Sequence, residues 1–232
     1  SKHALRDVLV HQGYQEVVTY SFVDAEWERT LYGNSQPIAL KNPIASHLSV
    51  MRSGLWGGLL DALDYNLKRQ QSRAQLFELG ARFSRGTDGF IETQTLAGLV
   101  YGSAQPEQWA TPARNIDFYD VKAHVEALFA QPLRFVAAQH PALHPGQSAR
   151  IYQHEQAIGW LGKLHPQWQQ QYGLTAPCYL FELDAEAALK SQLPAYTEVS
   201  KFLPVRRDLA VLVDQQVSAA AMIDLIHTAN IP

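Results

Sequence analysis

The sequence has only one cysteine and carries no excess of positive charge. It holds a single cysteine, Cys178, so an internal disulfide is excluded. Its 19 basic and 22 acidic side chains give a formal net charge of −3, which excludes binding to nucleic acid through the overall charge. No apolar run approaches the ~20 residues of a membrane span, and the amino terminus lacks the apolar core of a signal peptide. We therefore expect a soluble, cytoplasmic protein that does not contact a membrane.

Charged residues are also scarce. They make up 18% of the 232 residues, whereas hydrophobic residues make up 47%. A typical soluble domain carries about 25% charged residues. The hydrophobic content is sufficient for a large core, and the low charge indicates that part of the surface contacts a partner instead of water.

Hydrophobic periodicity predicts alternating helices and strands over the first 190 residues. Leucines recur at every fourth position from Leu55 to Leu67 and predict a helix over 54–70. The remaining patterns predict helices at 2–12, 24–33, 118–129 and 166–173, and strands at 14–22, 75–83, 93–101, 133–137, 150–152, 157–161 and 179–183. Because turns join most of these strands and the helices occur singly, we predict an α+β fold with a largely antiparallel sheet flanked by helices.

The carboxyl-terminal part predicts a second, incomplete domain. A polar linker at 190–200 precedes an alternating strand at 208–213, and Ser218 is expected to cap a following helix. One strand and one helix cannot enclose a core. We therefore expect one domain at 1–192 and a truncated second domain at 193–232.

Four histidines raise the alternative of a metal enzyme. His140, His144, His154 and His165 occur within 26 residues, and neutral imidazoles bind zinc or iron. His140 and His144 lie in proline-rich loop sequence, so their spacing does not place them on one helix face as in H-E-x-x-H. We assign no metal site.

The glycine cluster at 53–58 precedes the strongest predicted helix. It matches neither G-x-x-x-x-G-K-[ST] nor G-x-G-x-x-G, so close helix packing explains it better than phosphate binding.

Lys201, Arg206 and Arg207 form the densest basic group of the carboxyl-terminal part. Long cationic side chains of this kind contact phosphates. Glu198 and Asp208 nearly neutralise them, so charge alone favours a solvated strand edge as much as an RNA contact.

Six segments that span nearly the whole chain point to one family. They are NPIASHLSVMRSGLWGGLLDALDYN (42–66), LFELGARF (76–83), DFYDVKAHVEALF (117–129), LHPGQSARI (143–151), IGWLGKLHP (158–166) and SKFLPVRRDLAVLVD (200–214). In this order they resemble the β subunit of bacterial phenylalanyl-tRNA synthetase. The resemblance implies a class II aminoacyl-tRNA synthetase-like antiparallel sheet at 1–192. It also implies a linker and a truncated ferredoxin-like βα unit, the start of the anticodon-binding domain, at 193–232.

The resemblance also implies that the catalytic residues are missing. Motif 2 of active class II synthetases reads Phe-Arg-x-Glu, whereas Phe83 is followed here by Ser84 and, two residues later, by Gly86. We expect strand alternation to prevent the nearby Arg82 and Arg85 from projecting as residue 84 does. No arginine-terminated glycine-rich strand, the mark of motif 3, follows residue 183. We therefore expect no catalytic residues in this chain, and we expect the chain alone to be inactive.

The family resemblance implies partners instead. It implies assembly with an α subunit in an α₂β₂ ligase that uses ATP and magnesium, neither of which we assign to this chain. It also implies tRNA binding, for which Lys201, Arg206 and Arg207 are the candidates. The candidates for the subunit interface are Tyr14, Tyr20, Asn42, Pro43 and Arg52. The alternative is a free-standing pseudo-synthetase that acts as a binding or regulatory module.

Overall fold

A computed structural model describes residues 1–87, 89–189, 201 and 205–229. The chain divides into two compact units, Ser1–Gln192 and Leu193–Pro232.

The first unit is built on a seven-stranded sheet. Its strands are β1 (Gln15–Glu16), β4 (Ala74–Gly86), β5 (Gly89–Tyr101), β6 (Arg134–Ala137), β7 (Leu143–Gln153), β8 (Gln156–Leu164) and β9 (Cys178–Asp184). Their order is β1-β4-β5-β9-β8-β7-β6, and every neighbouring pair is antiparallel except β1 and β4. A separate two-stranded ribbon pairs β2 (Phe22–Val23) with β3 (Val50–Met51). The predicted mixed fold with a mostly antiparallel sheet is confirmed.

Six helices accompany these strands in the described part of the first unit. They are α1 (Lys2–His11), α2 (Ala25–Leu31), α3 (Trp56–Leu67), α4 (Phe118–Glu126), α5 (Pro166–Gln171) and α6 (Ala185–Leu189). Local signals explain their ends. Asp24 caps α2, and Asp117 with Asp120 forms a capping box at α4. Gly13, at φ +90°, adopts the left-handed conformation that stops α1.

The two faces of the sheet carry separate cores. In β4, Leu76 packs with α3 on one face, while its neighbour Phe77 packs with α1, α4 and α6 on the other. This is the period-two alternation of a strand. Leu59 and Leu63 of α3 are fully buried, and burial of each such side chain stabilises the fold by about 1.5–3 kcal/mol. The leucine repeat therefore predicted both the helix and its buried face.

The strand predicted at 14–22 is wrong as a single element. Only β1 joins the sheet, and the chain then leaves β4 before β2 forms the separate ribbon. The physical reason lies at Thr19, whose N–H and hydroxyl both donate to the carboxylate of Glu78, at 3.4 Å and 2.6 Å. These side-chain bonds replace the backbone ladder that a continuous strand would need.

The second unit confirms one of its two predicted elements. Helix α7 (Ala219–Thr228) begins after Ser218, whose hydroxyl accepts a hydrogen bond from the Ala221 N–H. The predicted strand at 208–213 is wrong, because residues 205–214 have no regular structure and are exposed. A strand needs a neighbour for its backbone groups, and the described residues of this unit supply none. The predicted linker at 190–200 lies outside the described residues.

No helix among the described residues has the length and apolar character needed to cross a membrane.

Candidate functional site

A cavity of about 480 Å³ opens on the sheet face that carries α3. Residues paired directly across antiparallel strands point to the same face. Glu182 of β9, Trp160 of β8 and Arg150 of β7 form one such row, and all three line the cavity. Thr95 of β5 and Asp184 of β9, which pair with each other, line it as well. The sheet register therefore brings together side chains that lie far apart in the sequence.

The motif 2 position lies in this cavity. Phe83 and Ser84 line it, together with Arg82 and Arg85, whereas Gly86 lies at the end of β4 beside the turn to β5. The expectation for Arg82 was wrong. Side chains repeat with a period of two along a strand, so Arg82 and Ser84 share a face.

An aromatic wall bounds one side of the cavity, formed by Tyr32, Trp56, His140 and Trp160. Tyr32 stacks on Trp56 with ring centroids 6.0 Å apart, and His140 meets Trp56 and Trp160 edge-on at 5.0 Å each. Burial, with a smaller contribution from the charge of Arg150, lowers the pKa of His140 to about 4. The imidazole is therefore neutral near pH 7, and its Nδ1 accepts a hydrogen bond from the Ala142 N–H at 3.1 Å.

Protein groups occupy the amino-terminal end of α3. The N–H of Ser53 donates to Glu28, that of Leu55 to Glu182 and that of Trp56 to the Tyr32 hydroxyl, at 2.9, 2.9 and 2.7 Å. Burial raises the pKa of Glu182. These bonds satisfy the free donors that a phosphate would otherwise use at a helix start.

Three of the four clustered histidines make separate local contacts, and the fourth, His154, lies in a turn. Nδ1 of His144 accepts from the Gly146 N–H, and Nδ1 of His165 accepts from the Gln167 N–H at the start of α5. His140 belongs to the aromatic wall, and His154 lies in the turn between β7 and β8. Within the described ranges, no group of three or more His, Cys, Asp or Glu side chains could hold a metal ion.

Two of the predicted interface residues lie inside the protein. Tyr14 and Arg52 are each only 3% exposed, so the prediction that they contact a partner is corrected. The Tyr14 hydroxyl lies 3.0 Å from Nδ1 of His124. Burial raises the pKa of Tyr14. Arg52 forms a buried ion pair with Glu78 at 2.9 Å.

The Arg52–Glu78 pair is part of a hydrogen-bond network that also includes Thr19. Arg52 donates to the Thr19 hydroxyl at 3.0 Å and to the Ala81 carbonyl at 2.8 Å. A Cβ on Gly58 would lie 2.2 Å from Oγ1 of Thr19, so only glycine lets α3 approach this network. The network fixes the segment before β2 against both β4 and α3.

An apolar surface flanks that segment on its outer side. Val18 is 89% exposed, Tyr20 71% and Ile44 79%, and Asn42 and Pro43 are exposed as well. Val18 and Tyr20 border a groove of about 910 Å³ whose lining includes Trp27, His47, Leu48, Ala62 and Tyr65. We call Val18, Tyr20 and Tyr65, which all border this groove, the outer apolar patch. Tyr20, Asn42 and Pro43 are thus accessible, unlike Tyr14 and Arg52.

The basic candidates of the second unit are exposed. Lys201, Arg206 and Arg207 face solvent in the described part of that unit. Glu198, which was expected to offset their charge, lies outside the described residues.

Sequence reasoning missed most of the cavity. Arg150, Trp160 and Glu182 come from three strands that only the sheet register brings together, and Tyr32 directly follows α2. One signal was available, because Glu182 is an isolated charge inside the apolar run of β9.

The chain matches known proteins over its whole length. Residues 1–185 match the family model of the phenylalanyl tRNA synthetase beta chain CLM domain. The phenylalanine–tRNA ligase beta subunit of Nitrosospira multiformis is 48% identical over 100% of this chain and 29% of its own length. That of Bordetella bronchiseptica is 52% identical over 98% of this chain and 30% of its own length. The chain therefore spans under a third of the curated relatives that it matches.

Solved structures agree on the fold. The pyrrolysyl-tRNA synthetase of Desulfitobacterium hafniense superposes with a TM-score of 0.59 at 16% identity, covering 81% of this chain and 66% of that chain. At this identity the likeness concerns the fold alone, which is that of a tRNA synthetase. Together with the family match over 1–185, it leads to one conclusion: the chain belongs to the phenylalanyl-tRNA synthetase beta chain CLM domain family.

Proposed function

We propose that this chain acts as the catalytic-like but non-catalytic part of the β subunit of a phenylalanine–tRNA ligase. The ligase would join phenylalanine to its tRNA with ATP and magnesium, and this chain would hold the catalytic α subunit in the assembly. The observation that carries the proposal is the 48% identity to a curated β subunit over the whole chain.

The motif 2 position supports the absence of catalysis. Ser84 offers a short neutral hydroxyl and Gly86 no side chain, where an active class II site presents arginine and glutamate. Loss of preorganised charge at a reacting phosphate removes several kcal/mol of transition-state stabilisation. Arg82 lies on the same face of β4 as Ser84, but it comes two residues earlier and therefore does not occupy the position of the motif 2 arginine. We therefore propose no catalytic residue and no catalytic cofactor within this chain.

The outer apolar patch is the surface that we propose for the α subunit. Exposed apolar side chains that cluster on one surface mark protein interfaces. Tyr20, Asn42 and Pro43 remain interface candidates, while Tyr14 and Arg52 are removed because they are buried. The buried network behind Thr19 would hold the patch rigid, which lowers the entropic cost of association.

This proposal is tested by binding to the α subunit of phenylalanyl-tRNA synthetase from the same source. Val18→Asp and Tyr20→Asp each place a charge in the patch, and we expect each to weaken binding by about tenfold or more. Val136→Asp is the matched control, because β6 is at the opposite edge of the sheet from β1. Biolayer interferometry with immobilised α subunit measures the affinity of the wild-type chain and of the three variants. Wild-type binding by both patch variants, with the fold retained, would remove this surface from the proposal.

We further propose that residues 193–232 begin a ferredoxin-like, tRNA-binding domain. The capped helix α7 and the exposed Lys201, Arg206 and Arg207 support this proposal. In the assembled ligase, Arg206→Gln and Arg207→Gln should each lower the slope of log affinity for tRNA against log salt by about one. Arg134→Gln on β6 is the control, and unchanged slopes in both variants would contradict a phosphate contact.

A further inference from the structure

Two arginines face the cavity without a direct ion pair among the described residues, although the charge of Arg82 acts on the carboxylate of Glu182 and partly offsets the rise in its pKa that burial causes. Arg82 and Arg150 both line it, and within the described residues neither side chain forms an ion pair or donates a hydrogen bond. The Nε of Arg82 is buried and has no partner in the described part of the chain. A buried donor without a partner is costly, and each like charge nearby adds to that cost.

The carboxylates of the cavity accept hydrogen bonds from the backbone, and burial raises the pKa of Glu182 while the charges of Arg82 and Arg52 lower it. Glu182 accepts from the Leu55 N–H, and Asp184 accepts from the Glu186 N–H, both at 2.9 Å. His140 is neutral near pH 7, because burial lowers its pKa to about 4. A third cation, Arg85, lies at the rim, where it donates to the carbonyls of Gln36 and Pro37. The cavity therefore presents more positive charge than its own acids offset.

Arg150 is held in place without being neutralised. Its guanidinium lies 4.7 Å from the ring centroid of Trp160, a cation–π contact that fixes its plane. Planar guanidinium groups bind carboxylate and phosphate through paired hydrogen bonds. A fixed arginine and an unpartnered one on the same face therefore favour an oxyanion between them.

The rest of the cavity suits an apolar ring. The aromatic wall of Tyr32, Trp56, His140 and Trp160 borders the same space. Small-molecule sites commonly measure about 300–1,000 Å³ and combine apolar walls with a few placed polar groups. The volume of about 480 Å³ falls in that range.

We propose that this cavity binds a small molecule in which a phosphate or carboxylate is attached to a flat apolar ring, with the oxyanion between Arg82 and Arg150 and the ring against the aromatic wall. In this proposal the cavity binds the molecule but does not catalyse a reaction on it. It does not depend on the proposed α-subunit contact, which uses a different surface.

Isothermal titration of the 232-residue chain at low ionic strength tests the proposal. The probes are phenyl phosphate, benzoate, inorganic phosphate and benzyl alcohol. We expect one or both ring-bearing anions to bind more tightly than inorganic phosphate, and benzyl alcohol not to bind at the same concentrations. Tighter binding of phenyl phosphate than of benzoate would identify phosphate as the oxyanion, and the reverse would identify carboxylate.

Arg82→Gln and Arg150→Gln should each weaken the better probe by about tenfold or more, because each removes a charge-assisted hydrogen bond. Arg134→Gln, an exposed arginine on β6, should leave binding unchanged.

Two results would overturn the proposal. One is failure of both phenyl phosphate and benzoate to bind the folded wild-type chain at about 10 mM. The other is binding that Arg82→Gln and Arg150→Gln both leave at the wild-type level.

Discussion

Arg52 shows how a single residue can be misjudged from sequence and then explained by its contacts. It follows a proline turn in an apolar segment, where an arginine normally reaches solvent. Its partner Glu78 lies 26 residues away on β4, and the residue pattern gave no sign of the pairing. In the structure the pair is buried, and the side chains of Arg52 and Glu78 are 4% and 3% exposed. Such a buried pair fixes the position of Arg52 against β4 more than it adds to the free energy of unfolding, because the cost of desolvating both charges offsets most of their attraction.

Breaking this pair should be costly. Glu78→Gln leaves the Arg52 charge buried and weakens the bonds to Thr19, so we expect the free energy of unfolding to fall by about 3–5 kcal/mol. Urea denaturation measures the change. The control is Lys68→Ala, which removes the exposed Lys68–Asp64 pair and should cost about 0.5 kcal/mol or less. A loss below 1 kcal/mol for Glu78→Gln would show that the pair is not held as described.

His140 should make the stability depend on pH. Burial lowers its pKa to about 4 in the folded state, against about 6.5 in the unfolded chain. Between these values the unfolded state binds the additional proton, so stability is complete above pH 6.5 and is lost as the pH falls toward 4. The loss attributable to His140 is on the order of 2–3 kcal/mol.

His140→Gln should flatten this part of the stability curve, as measured by urea denaturation at half-unit steps from pH 7 to pH 4. The exposed His3→Gln is the control and should keep the wild-type slope. Equal slopes for wild type and His140→Gln would contradict a neutral, buried imidazole.

At the scale of elements, local signals predicted most helices and the long strands. The leucine repeat predicted α3, and the residue patterns at 75–83 and 93–101 predicted the strands that the structure shows as β4 and β5. The failures occur where tertiary contacts replace local ones. The segment 14–22 breaks because Thr19 bonds to Glu78, and the segment 208–213 has no strand partner among the described residues. The cavity could not be predicted because it depends on the register of five strands.

The capping box of α4 allows a test at this scale. Asp117 accepts from the N–H groups of Tyr119 and Asp120, at 2.8 and 3.0 Å. Asp117→Ala leaves these donors unsatisfied and should lower the free energy of unfolding by about 1 kcal/mol. Asp117→Asn keeps a capping oxygen and should cost no more than a few tenths. If both variants lost the same stability, the charge and not the cap would be responsible.

At the scale of the whole molecule, the family and the function rest on different grounds. Family membership follows from the match over residues 1–185. The function is a proposal, since the curated relatives are more than three times as long as this chain. The proposal that the chain lacks synthetase chemistry is supported by the cavity, because its lining carries Ser84 where the family resemblance implies the motif 2 arginine of an active enzyme.

Inactivity of the isolated chain is one expected outcome. Phenylalanine-dependent exchange of pyrophosphate into ATP should not exceed the protein-free background, since the motif 2 arginine and glutamate are replaced. Exchange that coelutes with the purified chain on a sizing column would contradict the assignment of Ser84 and Gly86.

The most direct test of the central claim is the molar mass of the chain mixed with the α subunit of phenylalanyl-tRNA synthetase from the same source, measured by light scattering on a sizing column. We predict a stable mixed species that is heavier than either component and that is lost with Tyr20→Asp. Separate elution of two folded components at their individual masses would contradict it.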